Sequence, residues 1–135
     1  MKLTLASMIA AARAGAREVA SAEADTPVER GAVALVLDVR ERKEFDEAHL
    51  PAAVNIPRGL LELRADPASP VAHTKLTADR AGRILVYCTK SPSARSLVAA
   101  QTLASMGYDG VEVLDGGLVA RGAAGLPVER EASRT

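Results

Sequence analysis

A single cysteine, Cys88, is the residue of this chain best suited to covalent chemistry. The stretch ILVYCTKSPSARSLVA (84–99) places it after a run of apolar residues and before a short polar segment that leads into an apolar pattern with helical spacing. A thiolate there would be a nucleophile, and a helix N-terminus together with Lys90 and Arg95 would stabilise its charge. A buried packing cysteine is the alternative, because cysteine is often fully buried. The position after a strand favours the reactive interpretation.

The residues that follow Cys88 could bind an anion beside the sulfur. In an open α/β sheet, ligands bind beyond the carboxyl ends of the strands, where loops lead into helices. Backbone N–H groups at such a helix start point at a bound anion. The candidate contacts are Thr89, Lys90, Ser91, Ser93, Ala94, Arg95 and Ser96. Pro92 has no N–H, so only part of this backbone can contribute donors.

Strands and helices that could position this site alternate along the chain. The runs AVALVLDV (32–39) and ILVY (84–87) are continuously aliphatic, which is typical of strands covered on both faces. Further strands are predicted at 17–20, 52–56 and 111–114. Helices are predicted over 2–14, from Ser21, after residue 40, over 58–66, from the end of the polar segment to Gly107, and over 118–124, with a loop over 66–82. This order predicts an α/β fold with a central, mostly parallel five-stranded sheet and helices on both faces.

Length and composition limit the classes of function. The 135 residues are enough for one domain. The 17 basic and 17 acidic side chains cancel without forming a charged block, and aromatic residues make up only 2%, so neither a nucleic acid nor a membrane is indicated as a partner. His49 and His73 are far apart and neither is near the cysteine in sequence, so we expect no metal site and no other cofactor.

The cysteine content and the N-terminal segment bear on location. One cysteine cannot form an internal disulfide, and its thiol would survive in a reducing compartment, so we expect the cytoplasm. The segment from Leu3 to Ala12 is as apolar as the centre of a signal peptide. Arg13 and Arg17 interrupt its continuation, so an amphipathic helix is the favoured interpretation. No stretch of the sequence approaches the length of a membrane span.

Four stretches of the chain carry an ordered set of short motifs. They are LVLDVRERKEFDEAHLPAAVNIP (35–57), ILVYC (84–88), ARSLVAAQTLASMGYDGVEVLDGG (94–117) and AGLPV (124–128). The most specific elements are Asp38-Val39-Arg40, Glu44-Phe45, His49-Leu50-Pro51, Asn55-Ile56-Pro57, Arg95-Ser96, Met106-Gly107-Tyr108 and Gly116-Gly117. In this order the motifs resemble the rhodanese domain of sulfurtransferases. The resemblance covers about residues 17–128, which leaves 1–16 as an N-terminal helix extension and 129–135 as a polar tail.

The resemblance implies that Cys88 takes a sulfane sulfur from a donor such as thiosulfate or a persulfide, and holds it as a persulfide. The sulfur would then pass to an acceptor such as cyanide, a small thiol or a thiol of another protein. No second cysteine exists to resolve the persulfide within the chain. Asp38 and Arg40 would border the pocket or form a structural ion pair. His49 is expected to serve a turn or a hydrogen bond rather than to shuttle protons.

The segment between Cys88 and Arg95 departs from the family pattern. Six residues separate them and none is glycine, whereas the sulfurtransferases that the chain resembles usually have four, with glycine among them, and related phosphatases have five. Three hypotheses therefore stay open, in order of preference: a sulfurtransferase with a widened pocket, a non-catalytic or regulatory sulfur-carrying module, and a Cys-dependent phosphatase or arsenate-type enzyme. A phosphatase also needs an acid for the leaving oxygen, and Asp38 and Glu41 are candidates for this role that nothing in the sequence singles out.

Overall fold

The central feature of the computed structural model is a five-stranded sheet in the order β1-β5-β4-β2-β3. The structure describes residues 3–19, 35–78, 80–89 and 94–114, with the side chain of Ala94 excepted. The strands are β1 Glu18–Val19, β2 Leu35–Asp38, β3 Val54–Asn55, β4 Arg83–Tyr87 and β5 Gly110–Leu114. Every neighbouring pair is parallel. The predicted parallel α/β sheet is therefore confirmed.

Five helices accompany these strands in the described part of the chain. They are α1 Leu5–Gly15, α2 Arg42–Glu47, α3 Leu61–Ala65, α4 Thr74–Thr77 and α5 Ala94–Ser105, with a 3-10 turn, Arg58–Leu60, leading into α3. None of the described helices is long and apolar enough to cross a membrane. The predicted helix from Ser21, the helix over 118–124, the Gly116-Gly117 turn and the tail over 129–135 lie outside the described residues.

The prediction of an uninterrupted loop over 66–82 is wrong, because α4 lies within it. Leu76 is only 1% exposed, so the short helix buries one large apolar side chain in the core. The Nδ1 atom of His73 accepts a hydrogen bond from the Leu76 N–H at 3.4 Å, which satisfies a donor at the start of the helix. A single buried leucine is too little periodicity to identify four helical residues from the sequence.

The two faces of the sheet carry separate apolar clusters, because successive side chains of a strand point to opposite faces. On one face Leu37 and Val86 belong to the cluster that includes Leu61 of α3 and Leu103 of α5. On the opposite face Val36, Leu85 and Tyr87 pack with Leu50. A third cluster joins Ala12 of α1 to Leu97 and Ala100 of α5 and Val113 of β5. The sheet is thus anchored to α5, and α5 in turn to α1.

The helix that follows the polar segment ends as the sequence predicts. Gly107 has a φ of +91°, a left-handed conformation that glycine adopts without strain. The chain then returns into β5, where the backbone of Gly110 approaches the Gly82 carbonyl closely. This return places β5 beside β4, so α5 lies across the sheet with its first turn at the carboxyl edge.

Candidate active site

Cys88 lies at the carboxyl edge of the sheet, immediately after β4. Its neighbour Tyr87 pairs in register with Asp38, the last residue of β2. The thiol is only 2% exposed, and Sγ lies 3.4 Å from Oγ of Ser96, which is 1% exposed. Ser96 belongs to the first turn of α5, so the positive end of this helix lies close to the sulfur. The predicted meeting of strand end, cysteine and helix start is what the structure shows.

Arg95, the second predicted site residue on α5, binds a carboxylate of another element. Its Nη1 donates to Glu44 Oε1 at 2.6 Å and its Nη2 donates to Glu44 Oε2 at 3.1 Å. The two side chains are 38% and 34% exposed. The hydrogen bonds from Arg95 lower the pKa of Glu44 to about 2 against the opposing effect of burial. This geometry is a bidentate ion pair at the mouth of the site.

Thr89 connects this ion pair to the cysteine. Its Oγ1 lies 3.3 Å from Nη2 of Arg95 and 3.4 Å from Oε2 of Glu44. The side chains of Thr89, Glu44 and Arg95 therefore form one hydrogen-bonded group. The backbone joins this group to Cys88, which precedes Thr89, and to Ser96, which follows Arg95. The negative charges near Arg95 raise its pKa, foremost through the hydrogen bond from Arg95 to Glu44. The guanidinium is thus charged and held by Glu44 and Thr89.

Glu44 is a site residue that the sequence analysis did not select. The sequence predicts a helix after residue 40 and includes Glu44 only in the Glu44-Phe45 motif of the family resemblance. Its position could have been found from topology, because α2 follows β2, and β2 lies directly beside β4. A polar side chain in the first turn of α2 consequently lies at the same sheet edge as Cys88.

The remaining predicted anion contacts are only partly described. Ala94 begins α5. Lys90, Ser91 and Ser93 lie outside the described residues, as does Pro92 between them. The described candidates Thr89, Arg95 and Ser96 all converge next to Cys88.

Asp38 and Arg40 form a buried ion pair rather than a free pocket border. They are 0% and 4% exposed, and Nη2 of Arg40 donates to Oδ2 of Asp38 at 2.9 Å. The hydroxyl of Tyr87 donates to the same oxygen at 2.7 Å and accepts the N–H of Leu50 at 3.0 Å. Burial, and then the Asp38 charge, raise the pKa of Tyr87 well above its ordinary value. Of the two predicted roles for Asp38 and Arg40, the structure shows the structural one.

His49 has a structural environment as well. It is 7% exposed and stacks on Phe45 with ring centroids 3.8 Å apart. Its Nδ1 lies 2.9 Å from the Phe45 carbonyl oxygen. This is the hydrogen-bonding role that the sequence predicts for His49.

A cavity of about 500 Å³ lies away from this site, between α1, α5 and the start of β5. Ala12, Ala100 and Val111 are among its lining residues, and none of the predicted site residues lines it. The chemistry of Cys88 therefore depends on the carboxyl edge of the sheet and not on this cavity.

The cluster as a whole combines a nucleophile with groups that stabilise negative charge. Cys88 can attack a polarisable sulfur atom, while Ser96 and the start of α5 can stabilise the sulfur anion. The acid that a phosphatase would require is not provided by the two residues offered for it. Asp38 is bound by Arg40 and Tyr87, and Glu41 is exposed at the start of α2.

Comparisons with known proteins agree with this geometry. The chain matches the sequence model of the rhodanese-like domain over residues 20–123. A protein of unknown function from Rhodopseudomonas palustris, described as a possible tyrosine phosphatase, is 28% identical, with 96% of each chain covered and a TM-score of 0.85. No curated protein matches the chain.

Two further solved structures share the fold. The thiosulfate sulfurtransferase from Pseudomonas aeruginosa is 24% identical with a TM-score of 0.76. The matched region spans 96% of this chain and 23% of that chain. A protein from Anabaena is 27% identical with a TM-score of 0.68, covering 84% of this chain and 80% of that chain. The parallel sheet, the cysteine at its carboxyl edge and the match over residues 20–123 place the chain in the rhodanese-like domain family.

Proposed function

We propose that the chain is a sulfurtransferase that moves a sulfane sulfur through a persulfide on Cys88. The observation that carries the proposal is the placement of the thiol after β4, 3.4 Å from Ser96 in the first turn of α5. Membership of the rhodanese-like domain family supports the same chemistry. The expected donors are thiosulfate or a persulfide, and the expected acceptors are cyanide, a small thiol or a thiol of another protein.

The first half-reaction is an attack of the Cys88 thiolate on the sulfane sulfur of the donor. With thiosulfate, a bond forms between Sγ and the outer sulfur, and the bond between the two thiosulfate sulfurs breaks. The electron pair of the broken bond leaves with sulfite, and Cys88 becomes a perthiolate. The N-terminus of α5 and the hydroxyl of Ser96 stabilise the negative charge that stays on the protein.

The second half-reaction returns the cysteine to its initial state. The acceptor attacks the outer sulfur of the persulfide, so cyanide becomes thiocyanate and the Sγ thiolate is released with the electron pair of the broken S–S bond. In the structure the thiol of Cys88 donates to Oγ of Ser96 at 3.4 Å, and once Cys88 is a thiolate the hydroxyl of Ser96 can donate to it instead. Because the chain has a single cysteine, the acceptor must come from another molecule.

A sulfur-carrying or regulatory module is the second candidate, and the burial of the thiol favours it. Cys88 is 2% exposed, so a donor reaches Sγ only after the surrounding residues move. Such a protein would accept one sulfur atom and release it slowly.

A steady-state assay distinguishes these functions. Thiocyanate formation from thiosulfate and cyanide should proceed over many turnovers with the wild-type protein and stop in the variant Cys88→Ser. One equivalent of thiocyanate without turnover would favour the carrier module. Hydrolysis of an aryl phosphate, dependent on Cys88 and faster than thiocyanate formation, would overturn the proposal in favour of a phosphatase.

A further inference from the structure

Two closed ion pairs of the described residues lie at the carboxyl edge of the sheet, where Cys88 follows β4. Arg95 binds Glu44 through both terminal nitrogens, at 2.6 and 3.1 Å. Arg40 binds Asp38 at 2.9 Å and is buried with it. Each of these pairs has no net charge, so neither attracts an incoming anion as an unpaired arginine would. The positive end of α5 lies close to the sulfur and does favour an anion.

We propose that Glu44 is a specificity-determining residue, which by neutralising Arg95 makes the site prefer sulfane donors with one negative charge over donors with two. The inference rests on the proposed sulfurtransferase function and names its substrate class: thiosulfonates and persulfides that carry a single charge. Thiosulfate, which carries two charges, is still a donor, but Glu44 slows its reaction more than that of a donor with one charge.

The preference follows from how repulsion depends on charge. The Glu44 carboxylate repels a donor in proportion to the charge of that donor, so a dianion is repelled twice as strongly as a monoanion. Both side chains of the pair are about a third exposed, at 34% and 38%, so solvent screens part of this repulsion. For a donor roughly 6 Å from the carboxylate, we expect about a tenfold effect on rate for each negative charge of the donor.

Two donors of similar shape but different charge distinguish an effect of donor charge from an effect of donor size. Thiosulfate is a dianion, and methanethiosulfonate is a monoanion in which a methyl group replaces one oxygen. With either donor the Cys88 thiolate forms a bond to the terminal sulfur, and the bond from that sulfur to the oxidised sulfur breaks. The electron pair leaves on sulfite or on methanesulfinate, so both reactions balance without another reactant.

The experiment measures the rate of sulfur addition to Cys88 with each donor by intact mass spectrometry under single-turnover conditions. In the variant Glu44→Gln, the ratio of the thiosulfate rate to the methanethiosulfonate rate should rise about tenfold. Glu44→Asp keeps the charge and should keep the wild-type ratio. Glu47→Gln removes the same charge from an exposed position on α2, and should also leave the ratio unchanged.

The ratio is taken within one protein preparation, so a partly unfolded variant lowers both rates and does not alter it. An unchanged ratio in Glu44→Gln, or an equal rise in Glu47→Gln, would overturn the role of Glu44 while leaving the sulfurtransferase proposal standing. Absence of a sulfur adduct with both donors in the wild-type protein would overturn the proposed function and this inference together.

Discussion

Replacing Glu44 by glutamine tests whether the Glu44–Arg95 pair holds the two sides of the site together. The pair joins α2 to α5 between residues that are 51 positions apart in the sequence. Glutamine keeps the size of the side chain and one acceptor oxygen but removes its negative charge. We therefore expect the variant to have a lower free energy of unfolding than the wild-type protein at neutral pH.

The magnitude of the loss follows from the titration of Glu44. The hydrogen bonds from Arg95, together with the N–H of Glu41 and the charge of Arg40, lower the pKa of Glu44 from its ordinary value of 4.5 to about 2. A difference of this size corresponds to about 3 kcal/mol when the pair is shielded from water. The side chains are 34% and 38% exposed, so screening by solvent reduces the expected loss to about 1–2 kcal/mol.

The pH dependence supplies a second signature. Because the pKa of Glu44 is lower in the folded than in the unfolded protein, its contribution to stability is fully present above the unfolded value of 4.5 and disappears as the pH falls to about 2. The difference in unfolding free energy between wild type and Glu44→Gln should therefore be constant near neutral pH. It should shrink steadily as the solution is acidified through this window.

Urea unfolding followed by circular dichroism at each pH measures this difference. Glu47→Gln is the matched control, because it removes the same charge from an exposed position on α2, and it should change the free energy of unfolding by less than about 0.5 kcal/mol. Equal behaviour of the two variants, or a deficit in Glu44→Gln that does not shrink on acidification, would refute this reasoning.

Three further substitutions probe the core of the site and the sheet. Asp38→Asn leaves the charge of Arg40, which is 4% exposed, without its carboxylate, and should cost about 3–5 kcal/mol in urea unfolding. Gly110→Ala would place a β-carbon 2.4 Å from the carbonyl oxygen of Gly82, so the strain should cost about 1–3 kcal/mol and lower the melting temperature by several degrees. Ser96→Ala removes the hydroxyl next to the sulfur and should slow single-turnover sulfur addition about tenfold while the fold is retained.

Each of these changes has a control and a contrary outcome. Glu62→Gln breaks an exposed ion pair with Arg58 and should cost no more than about 0.5 kcal/mol, so an equally small loss in Asp38→Asn would contradict the buried pair. An added β-carbon at Gly59 meets no atom within 4 Å, so Gly110→Ala should be clearly less stable than Gly59→Ala. An unchanged sulfur-addition rate in Ser96→Ala would remove Ser96 from the mechanism.

The strands of the fold could be predicted because their residues are continuously aliphatic. Leu35, Val36 and Leu37 of β2 are all nearly or fully buried, which requires cover on both faces of the sheet. Ile84 and Leu85 of β4, each 2% exposed, repeat this pattern, and the two strands pair side by side. Local composition therefore identifies the central strands and, through them, the edge at which the cysteine lies.

The pairing of Glu44 with Arg95 could not be predicted in the same way. It depends on α2 and α5 starting at the same sheet edge, and this follows from the order β5-β4-β2 rather than from any local pattern. The sequence predicts that the charge of Arg95 is available to an anion, whereas its two terminal nitrogens bind a carboxylate. Charge balance at a site is set by tertiary contacts, which a linear sequence does not display.

The ion pair of Asp38 and Arg40 shows a similar limit. Their position at the end of a strand expected to lie beside the Cys88 strand makes both a pocket border and a structural pair reasonable from the sequence. The burial of both side chains and the third contact from Tyr87, 49 residues away from Asp38, decide for the structural pair. Long-range hydrogen bonds of this kind distinguish a charged residue that binds ligands from one that stabilises the fold.

The central claim is that Cys88 accepts a sulfane sulfur, and intact mass spectrometry after incubation with a sulfane donor tests it most directly. We predict a mass increase of one sulfur atom that is absent in Cys88→Ser and is reversed by cyanide with release of thiocyanate. No mass increase with thiosulfate or methanethiosulfonate, in protein whose cysteine still reacts with an alkylating reagent, would contradict the claim.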